Sequence, residues 1–452
     1  MESSLSSATD QSPTTFGGNH CQYFVVRKKR YCRMTLKAGY NYCGEHLPSN
    51  IPHTNDNSDE YLRVPCPLDP THSCYKSKLS KHLKICNARE TFLPKYINKG
   101  VNLGYDPVSQ QDVNRIELSD IDTDEILEVV DKINKLYTEC FAEDIKYCNY
   151  KHKYLESECN NEIYGDNKRR HLIQTSALAG VLESENFLVP KTCFIEFGGG
   201  KGQMTYWIAK IIQNIEETDV LLIDKASHRH KQDNKLEDMK NRVHRIRADI
   251  SDLVLDEIDY ISKAENVIAI GKHLCGAATD LCFRCMTRHD QVSLSGIVLA
   301  FCCHHRCTWL TYTGRKWMEF VGIGKKEFDI MCAISSWATC GSGQSRERRL
   351  KTSNESKNHV EEYIDNCVDG ANTNKCSSSQ SNTKRNRFGM TQKERELIGR
   401  KTKHIIDFGR KKYLEEEGYT CKFTYYVSTD LTPENLCIIA HNTEKVKKNK
   451  CA

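Results

Sequence analysis

The sequence predicts an α/β protein with a mostly parallel sheet, preceded by two small modules rich in cysteine and histidine. From about residue 191, short apolar runs that end in Gly, Asp or Lys alternate with polar helical stretches. This is the order of a parallel sheet covered by helices on both faces. Residues 20–46 and 66–86 each hold four spaced Cys or His residues. The chain has 452 residues, enough for two to four domains of ~100–200 residues each.

The apolar runs predict seven strands, and a charged helix precedes the last two. The predicted strands are 193–197, 220–223, 243–246, 267–270, 296–301, 421–428 and 435–440, with the charged helix at 391–417. The predicted divisions are a disordered tail at 1–18, modules at 19–48 and 61–90, a helical region at 111–185, an α/β domain at 186–340 and 388–445, and a disordered insertion at 341–387.

Composition and patterning exclude membrane and secreted classes. The longest apolar runs, such as 220–223 and 297–300, fall far short of the ~18 residues of a membrane helix. The first residues, MESSLSSATD, lack the basic-then-apolar order of a secretory signal. We therefore predict an intracellular protein with reduced thiols, without choosing between nucleus and cytoplasm. The basic excess lies within residues 1–100, which suggests an anionic partner such as RNA.

The first module is predicted to bind zinc through Cys21, Cys32, Cys43 and His46. Two residues separate Cys43 from His46, so one tight turn can present both to a metal. Three thiolates and one imidazole form a closed tetrahedral set, which is typical of a structural zinc site. The basic segment 27–30 lies between the first two ligands and would form an exposed loop tip.

The second module is predicted to bind zinc through Cys66, His72, His82 and Cys86. His82 and Cys86 are four residues apart, which places both on one face of a helix. Cys74 is a rival ligand, although it follows His72 by only two residues. The pattern resembles the CHHC zinc fingers of some RNA-processing proteins.

A glycine loop follows the first predicted strand of the sheet. Glu196 precedes Gly198, Gly200 and Gly202 in the order E-x-G-x-G-x-G. The loop lacks the Ser or Thr that follows the lysine of a phosphate-binding Walker loop, and a dinucleotide loop would need glycine at 203. An acid before the loop suits a positively charged ligand, so we predict S-adenosylmethionine.

Acids at the ends of the next two strands extend this predicted site. Asp224 follows the second strand, where a carboxylate can accept hydrogen bonds from both ribose hydroxyls. Asp249 follows the third strand and is predicted to receive the adenine amino group. The alternative for each acid is a helix cap or a surface residue.

The fourth and fifth strands run into segments rich in acid–base groups. Lys272 is the candidate base for removing a proton from an attacking hydroxyl; if it stays charged, it would instead orient the hydroxyl or bind a phosphate. His273, His304 and His305 are rivals for the same role. The 302–307 cluster is a further candidate metal site, although its cysteines also suit packing behind the cofactor.

Together these motifs resemble one known family. The two Cys/His modules, EFGGGKG, GKHLCG and CCHHRC are similar to the eukaryotic tRNA methyltransferase thirteen family, over residues 20–440 except 341–387. The resemblance implies a Rossmann-like class I methyltransferase domain with an antiparallel edge strand, S-adenosylmethionine as donor and zinc on Cys66, His72, His82 and Cys86. It also implies 2′-O-methylation of nucleotide four in the tRNA acceptor stem.

Two alternatives to this function remain at the level of the sequence. One is a non-catalytic zinc-finger RNA-binding or spliceosomal factor with a vestigial methyltransferase fold, against which the intact glycine loop, Asp224 and Lys272 argue. The other is methylation of bases or protein. No Asn/Asp-Pro-Pro-Tyr/Phe motif, the usual device for methylating amino groups, follows the fourth strand.

Overall fold

The structure is a computed structural model that describes residues 20–25, 30–36, 41–43, 46, 63–86, 93–108, 116–141, 143–288, 294–340 and 387–443. The chain divides into two compact units, Met1–Phe92 and Leu93–Ala452. The predicted tail at 1–18, and the predicted insertion at 341–387 apart from its last residue, lie outside the described residues.

Within its described residues, the N-terminal unit contains two short hairpins, a 3-10 turn at Lys76–Lys78 and one α-helix. The first hairpin pairs β1 (Phe24–Val25) with β2 (Arg30–Tyr31), and residues 27–29 of its predicted basic tip are not among those described. The second pairs β3 (Arg63–Cys66) with β4 (Asp69–Tyr75), and α1 (Leu79–Ile85) follows. A register shift at the end of β3 allows the tight turn that brings Cys66 opposite Asp69.

The C-terminal unit is built on a seven-stranded sheet. Its strands are β5 (Thr192–Phe197), β6 (Asp219–Ile223), β7 (Val243–Ile246), β8 (Asn266–Cys275), β9 (Gly296–Cys302), β10 (Tyr419–Tyr425) and β11 (Leu436–Asn442). The order across the sheet is β10-β11-β9-β8-β5-β6-β7. β5 to β9 pair in parallel, and β11 pairs antiparallel with both β9 and the edge strand β10. The predicted fold class is confirmed, including the antiparallel pairing at one edge.

Helices flank the sheet and form a separate layer beside it. They are α2 (Thr123–Cys140), α3 (Glu156–Cys159), α4 (Asp166–Ser184), α5 (Gln203–Ile211), α6 (Asp259–Ser262), α7 (Ala277–Thr287), α8 (Arg315–Phe320), α9 (Lys325–Ser335), α10 (Trp337–Cys340) and α11 (Gln392–Glu416). Among the described residues, no helix combines the length and apolar composition needed to cross a membrane.

Apolar side chains that alternate along the strands form a core on each face of the sheet. Ile195 and Phe197 pack on one face with α7, whereas Phe194 packs on the other with α4 and α5. Successive side chains of a strand point to opposite faces. Glu196 therefore shares the face of Phe194 and points toward α5.

The acidic helix α2 packs within the C-terminal unit. Its apolar residues recur at spacings of three and four, and all are buried in a third core with α9 and α11; they are Ile126, Val129, Val130, Ile133 and Leu136. The helix therefore buries its apolar face against its own chain.

Candidate cofactor site and metal clusters

The glycine loop connects β5 to α5 in a conformation that suits glycine. Gly198, Gly200 and Gly202 all have positive φ, a region that side chains disfavour. A Cβ at Gly202 would lie 2.6 Å from Asp233 Oδ1, whereas a Cβ at Gly200 would meet nothing within 4 Å. The backbone at Gly200 therefore borders open space, which leaves room for a ligand to approach it closely.

Glu196 is buried beneath this loop and binds the start of α5. Its Oε2 accepts hydrogen bonds from the Thr205 amide, at 2.8 Å, and from the Thr205 hydroxyl. Burial raises the pKa of Glu196 to about 7, against the opposing effects of Thr205 and of the Lys272 and Arg245 charges. In the described contacts the carboxylate fixes the loop to the helix, and its predicted contact with the cofactor stays a prediction.

Asp224 ties the end of β6 to the same loop. Its Oδ2 accepts a hydrogen bond from the Gly200 amide at 2.8 Å, and its Oδ1 accepts one from the Ala226 amide at 2.7 Å. His228 Nε2 lies 3.2 Å from Oδ1. A carboxylate has about four lone-pair positions, so Asp224 retains capacity for a further donor such as a ribose hydroxyl.

Arg245 is a residue of this site that sequence reasoning missed. Its guanidinium makes a bidentate contact with Asp233, at 2.9 and 2.7 Å, and Nη1 donates to Gly200 O at 2.9 Å. Bidentate pairs of this kind hold geometry well. The sequence did offer a signal for this residue. Arg245 is a basic residue inside the third predicted strand, where the alternation of side chains places it on one face of the sheet.

Asp249 caps a helical turn in this structure. Its Oδ1 accepts from the Ser251 amide at 3.1 Å, and Oδ2 pairs with Lys225 Nζ at 2.6 Å. Burial works against the charged form, but the hydrogen bonds from Lys225 and Ser251 hold the pKa of Asp249 below its usual value. These contacts match the cap alternative, and the adenine contact stays a prediction.

Lys272 and His273 lie where β8 loses its regular pairing with β9. The strand continues to Cys275, five residues past the predicted end, and the register shifts between Gly271 and Leu274. Lys272 Nζ lies 3.2 Å from His171 Nδ1 of α4, and the rings of His171 and His273 are 6.0 Å apart. Sequence reasoning did not assign His171 to the site, because it comes from a helix 101 positions away.

His304 belongs to a buried ionic network. Only 2% of the residue is exposed, and its Nε2 lies 2.8 Å from Asp407 Oδ2. Arg410 links that carboxylate to Asp280, at 3.0 and 2.6 Å. These contacts favour a role in holding α11 against the end of the sheet, and catalysis by His304 stays a prediction.

The first predicted metal group is assembled. Cys21, Cys32, Cys43 and His46 each offer a ligand atom, and all four atoms lie within 4.8 Å of one another. Cys32 and Cys43 Sγ are 3.9 Å apart, and His46 Nδ1 is 3.5 Å from Cys21 Sγ and 3.4 Å from Cys43 Sγ. Ligands ~2.0–2.3 Å from a tetrahedral zinc ion lie ~3.3–3.8 Å apart, so this donor set fits zinc.

The second predicted metal group is assembled in the same way. Cys66, His72, His82 and Cys86 also place four ligand atoms within 4.8 Å. Cys66 and Cys86 Sγ are 3.7 Å apart, and the two imidazole Nε2 atoms are 3.1 Å apart. The rival Cys74 is buried but is not a member of the group. Two thiolates and two imidazoles fit a structural zinc ion.

The sheet order and the loop define the class. A glycine loop after the first parallel strand, with an acid at the end of the second, is the arrangement of an α/β domain that binds a nucleoside-containing ligand, and the matching family model makes this domain an S-adenosylmethionine-dependent methyltransferase. The family model "Methyltransferase TRM13" matches residues 173–441, and the models "CCCH zinc finger in TRM13 protein" and "U11-48K-like CHHC zinc finger" match residues 19–47 and 63–87. The chain belongs to the TRM13 methyltransferase family, as its motifs predicted, and it carries two zinc fingers.

Curated relatives extend over nearly the whole chain. The mouse protein "tRNA:m(4)X modification enzyme TRM13 homolog" is 30% identical over 93% of this chain and 94% of its own length. The human protein of the same name is 29% identical over 96% and 97%. Among solved structures, the plantazolicin methyltransferase BpumL covers 71% of this chain and 99% of its own with 12% identity and a TM-score of 0.28.

Proposed function

We propose that this protein transfers a methyl group from S-adenosylmethionine to the 2′ hydroxyl of nucleotide four in the acceptor stem of a tRNA. The names of the curated relatives support a tRNA substrate. The observation that carries the ribose assignment is the close approach of Lys272 to His171 at the end of β8, because methyl transfer to a hydroxyl needs a group that removes a proton. This strand is also the neighbour of β5, where Glu196 pairs in register with Ile270 of β8. Lys272 therefore lies on the strand beside the glycine loop, and His171 of α4 lies next to it.

The loop and its anchors hold the donor in this proposal. Gly200 leaves the space that the donor enters, Asp224 accepts from its ribose hydroxyls, and Arg245 keeps the Gly200 carbonyl in place. When bound, the donor supplies an electrophilic methyl group. Much of the rate then comes from positioning, because a fixed donor and a fixed hydroxyl react as one unit.

Lys272 is the general base that removes the proton of the ribose hydroxyl in this proposal. As the oxygen attacks, its proton must leave, and a neutral amine at Lys272 Nζ can accept it. A neutral amine keeps two N–H groups and a lone pair, so Lys272 Nζ can donate to His171 Nδ1, 3.2 Å away, while the lone pair accepts the hydroxyl proton. This bond fixes the direction of the amine, and we assign His171 as a positioning residue.

The zinc fingers and their lysines contact the RNA backbone in this proposal. Lys76, Lys78, Lys81 and Lys84 lie in or directly before α1 of the second finger. The grooves of an A-form helix hide base edges, so an acceptor stem is read largely through shape and phosphates. Binding should accordingly weaken steeply as salt concentration rises.

The decisive test is nucleoside analysis of unmodified tRNA incubated with the full chain and labelled donor. We expect a 2′-O-methylated nucleotide at position four that resists alkaline cleavage, and no product on a tRNA with a 2′-deoxynucleotide there. A methylated base would contradict the ribose assignment. Absence of donor binding by calorimetry would favour the vestigial alternative.

The role of Lys272 has its own variant. Lys272→Ala should keep donor affinity within about threefold and lower turnover by ~10²–10⁴-fold, the usual contribution of a general base. Lys263→Ala, at an exposed lysine outside the site, is the matched control and should behave as wild type. Near-normal turnover of Lys272→Ala would show that another group takes the proton.

A further inference from the structure

Three cysteines meet at the ends of the two central strands β8 and β9. Cys275 and Cys302 are the last residues of these strands and pair in register, and Cys303 follows directly. The three Sγ atoms all lie within 4.8 Å of one another, and those of Cys275 and Cys302 are 3.7 Å apart. This cluster shares no residue with the metal groups of the two zinc fingers.

The zinc fingers of the same chain provide a scale for that distance. Their thiol pairs, Cys66 with Cys86 and Cys32 with Cys43, have Sγ–Sγ distances of 3.7 and 3.9 Å. Two thiolates on one tetrahedral zinc ion lie ~3.8 Å apart. The 3.7 Å between the Sγ atoms of Cys275 and Cys302 therefore matches the spacing expected of two thiolates on one metal ion.

The backbone at Cys303 explains how adjacent cysteines reach one point. Consecutive residues of a strand direct their side chains to opposite faces, so Cys302 and Cys303 would normally diverge. Cys303 instead has φ 52° and ψ 41°, a left-handed conformation that residues with a side chain rarely adopt. This turn ends the alternation and brings both thiols beside Cys275.

Two other buried cysteines of the C-terminal unit have different surroundings, although Cys332 also contacts a second thiol, that of Cys307. Cys285 and Cys437 are buried and contact backbone carbonyl oxygens, as isolated core thiols do. Cys307, a member of the cluster considered from sequence, lies 3.2 Å from Arg410 Nη2 instead. Arg410 also donates to Gly276 O at 3.2 Å, but its charge is already matched by Asp280 and Asp407.

We propose that Cys275, Cys302 and Cys303 bind a third zinc ion through three thiolates. Soft thiolate ligands select zinc over magnesium or calcium. Three protein ligands leave the fourth position of the tetrahedron to a water molecule or another small ligand. The ion would join the ends of β8 and β9, three residues beyond Lys272. The proposal does not depend on the methyl acceptor.

Zinc content per chain tests the proposal without an activity assay. The full chain is reconstituted with zinc under a reductant and freed of loose metal on a chelating resin. We expect three zinc ions per wild-type chain and two in Cys275→Ser and in Cys302→Ser. Cys148→Ser, at a partly exposed cysteine outside the three groups, should retain three. Cobalt replacement should give thiolate charge-transfer absorption that decreases in the two cluster variants only.

Two results would overturn the third site. One is two zinc ions in the wild type with no loss in Cys275→Ser. The other is a Cys275–Cys302 disulfide in freshly purified protein, detected by mass spectrometry after alkylation. A protein that holds three ions but methylates no tRNA would keep this inference and reject the proposed function.

Discussion

The zinc fingers and the glycine loop hold their ligands in opposite ways. In the fingers, side chains are the ligands themselves, and Cys66, His72, His82 and Cys86 converge on one point. In the loop, the backbone at Gly200 borders open space that we propose receives the donor, and side chains from the end of β6 and from β7 hold that backbone in position. Ligand chemistry can therefore be identified from residue types in the fingers, whereas the loop depends on contacts that residue types do not reveal.

Loss of a finger ligand should have the largest effect. Cys66→Ser should unfold the second finger, because a structural zinc ion contributes ~10–16 kcal/mol to the folding of such small modules. We expect rapid proteolysis within residues 63–86 and loss of tRNA affinity by at least ~10-fold, with donor affinity within about twofold of wild type. His82→Cys retains a zinc ligand and is the control. Equal loss of donor binding would contradict the separation of the two functions.

Protonation of Glu196 should give the next largest effect. Its pKa in the folded protein is raised from 4.5 to about 7, so the folded state binds more protons than the unfolded chain. Its contribution to stability is fully present below pH ~4.5 and is lost as pH rises through about 7, by up to about 3 kcal/mol. In Glu196→Gln, the free energy of unfolding, measured by denaturant titration, should depend less on pH between about 4.5 and 7.

The exposed Glu183, changed to Gln, is the matched control for Glu196. It should keep the pH dependence of the wild type. An unchanged slope in Glu196→Gln would mean that another group is responsible and that the Thr205 contacts do not depend on the charge of Glu196.

Gly200→Ala tests whether the loop backbone contacts the donor. A Cβ at Gly200 meets no protein atom within 4 Å, so the folded protein should lose only about 1 kcal/mol from the positive φ. The donor, however, should lose contact with the backbone and bind about 30-fold more weakly in calorimetry. A large drop in melting temperature with little change in affinity would show that the loop does not border the donor.

Arg245→Lys should have the smallest effect of the four. Lysine keeps the charge but cannot reproduce the bidentate contact with Asp233 together with the bond to Gly200 O. We expect the KM for the donor to rise about 10-fold with a smaller change in kcat. The exposed Arg247, changed to Lys on the neighbouring stretch, should leave both within about twofold. A fall in kcat alone would assign Arg245 a different role.

Local sequence patterns predicted the elements well. The five parallel strands and α11 lie within about two residues of their predicted bounds, except that β8 continues to Cys275. Apolar alternation could not reveal this extension, because the strand beyond Gly271 is irregular and pairs again with β9 only at Leu274. The metal groups of the fingers were also recognisable, because their ligands lie close together in sequence and have distinctive chemistry.

By itself, the sequence determined the α/β class and the family, and it predicted the two groups of finger cysteines and histidines that the structure assembles, since these depend on local spacing and residue type. It also predicted the loop with its acids, whose contacts with the donor stay a prediction. The tertiary structure alone decided which partners those acids bind, and it brought together Lys272 with His171 and Cys275 with Cys302. Those pairs come from distant parts of the chain. Only the packing of helices and strands around a common core brings such side chains within bonding distance.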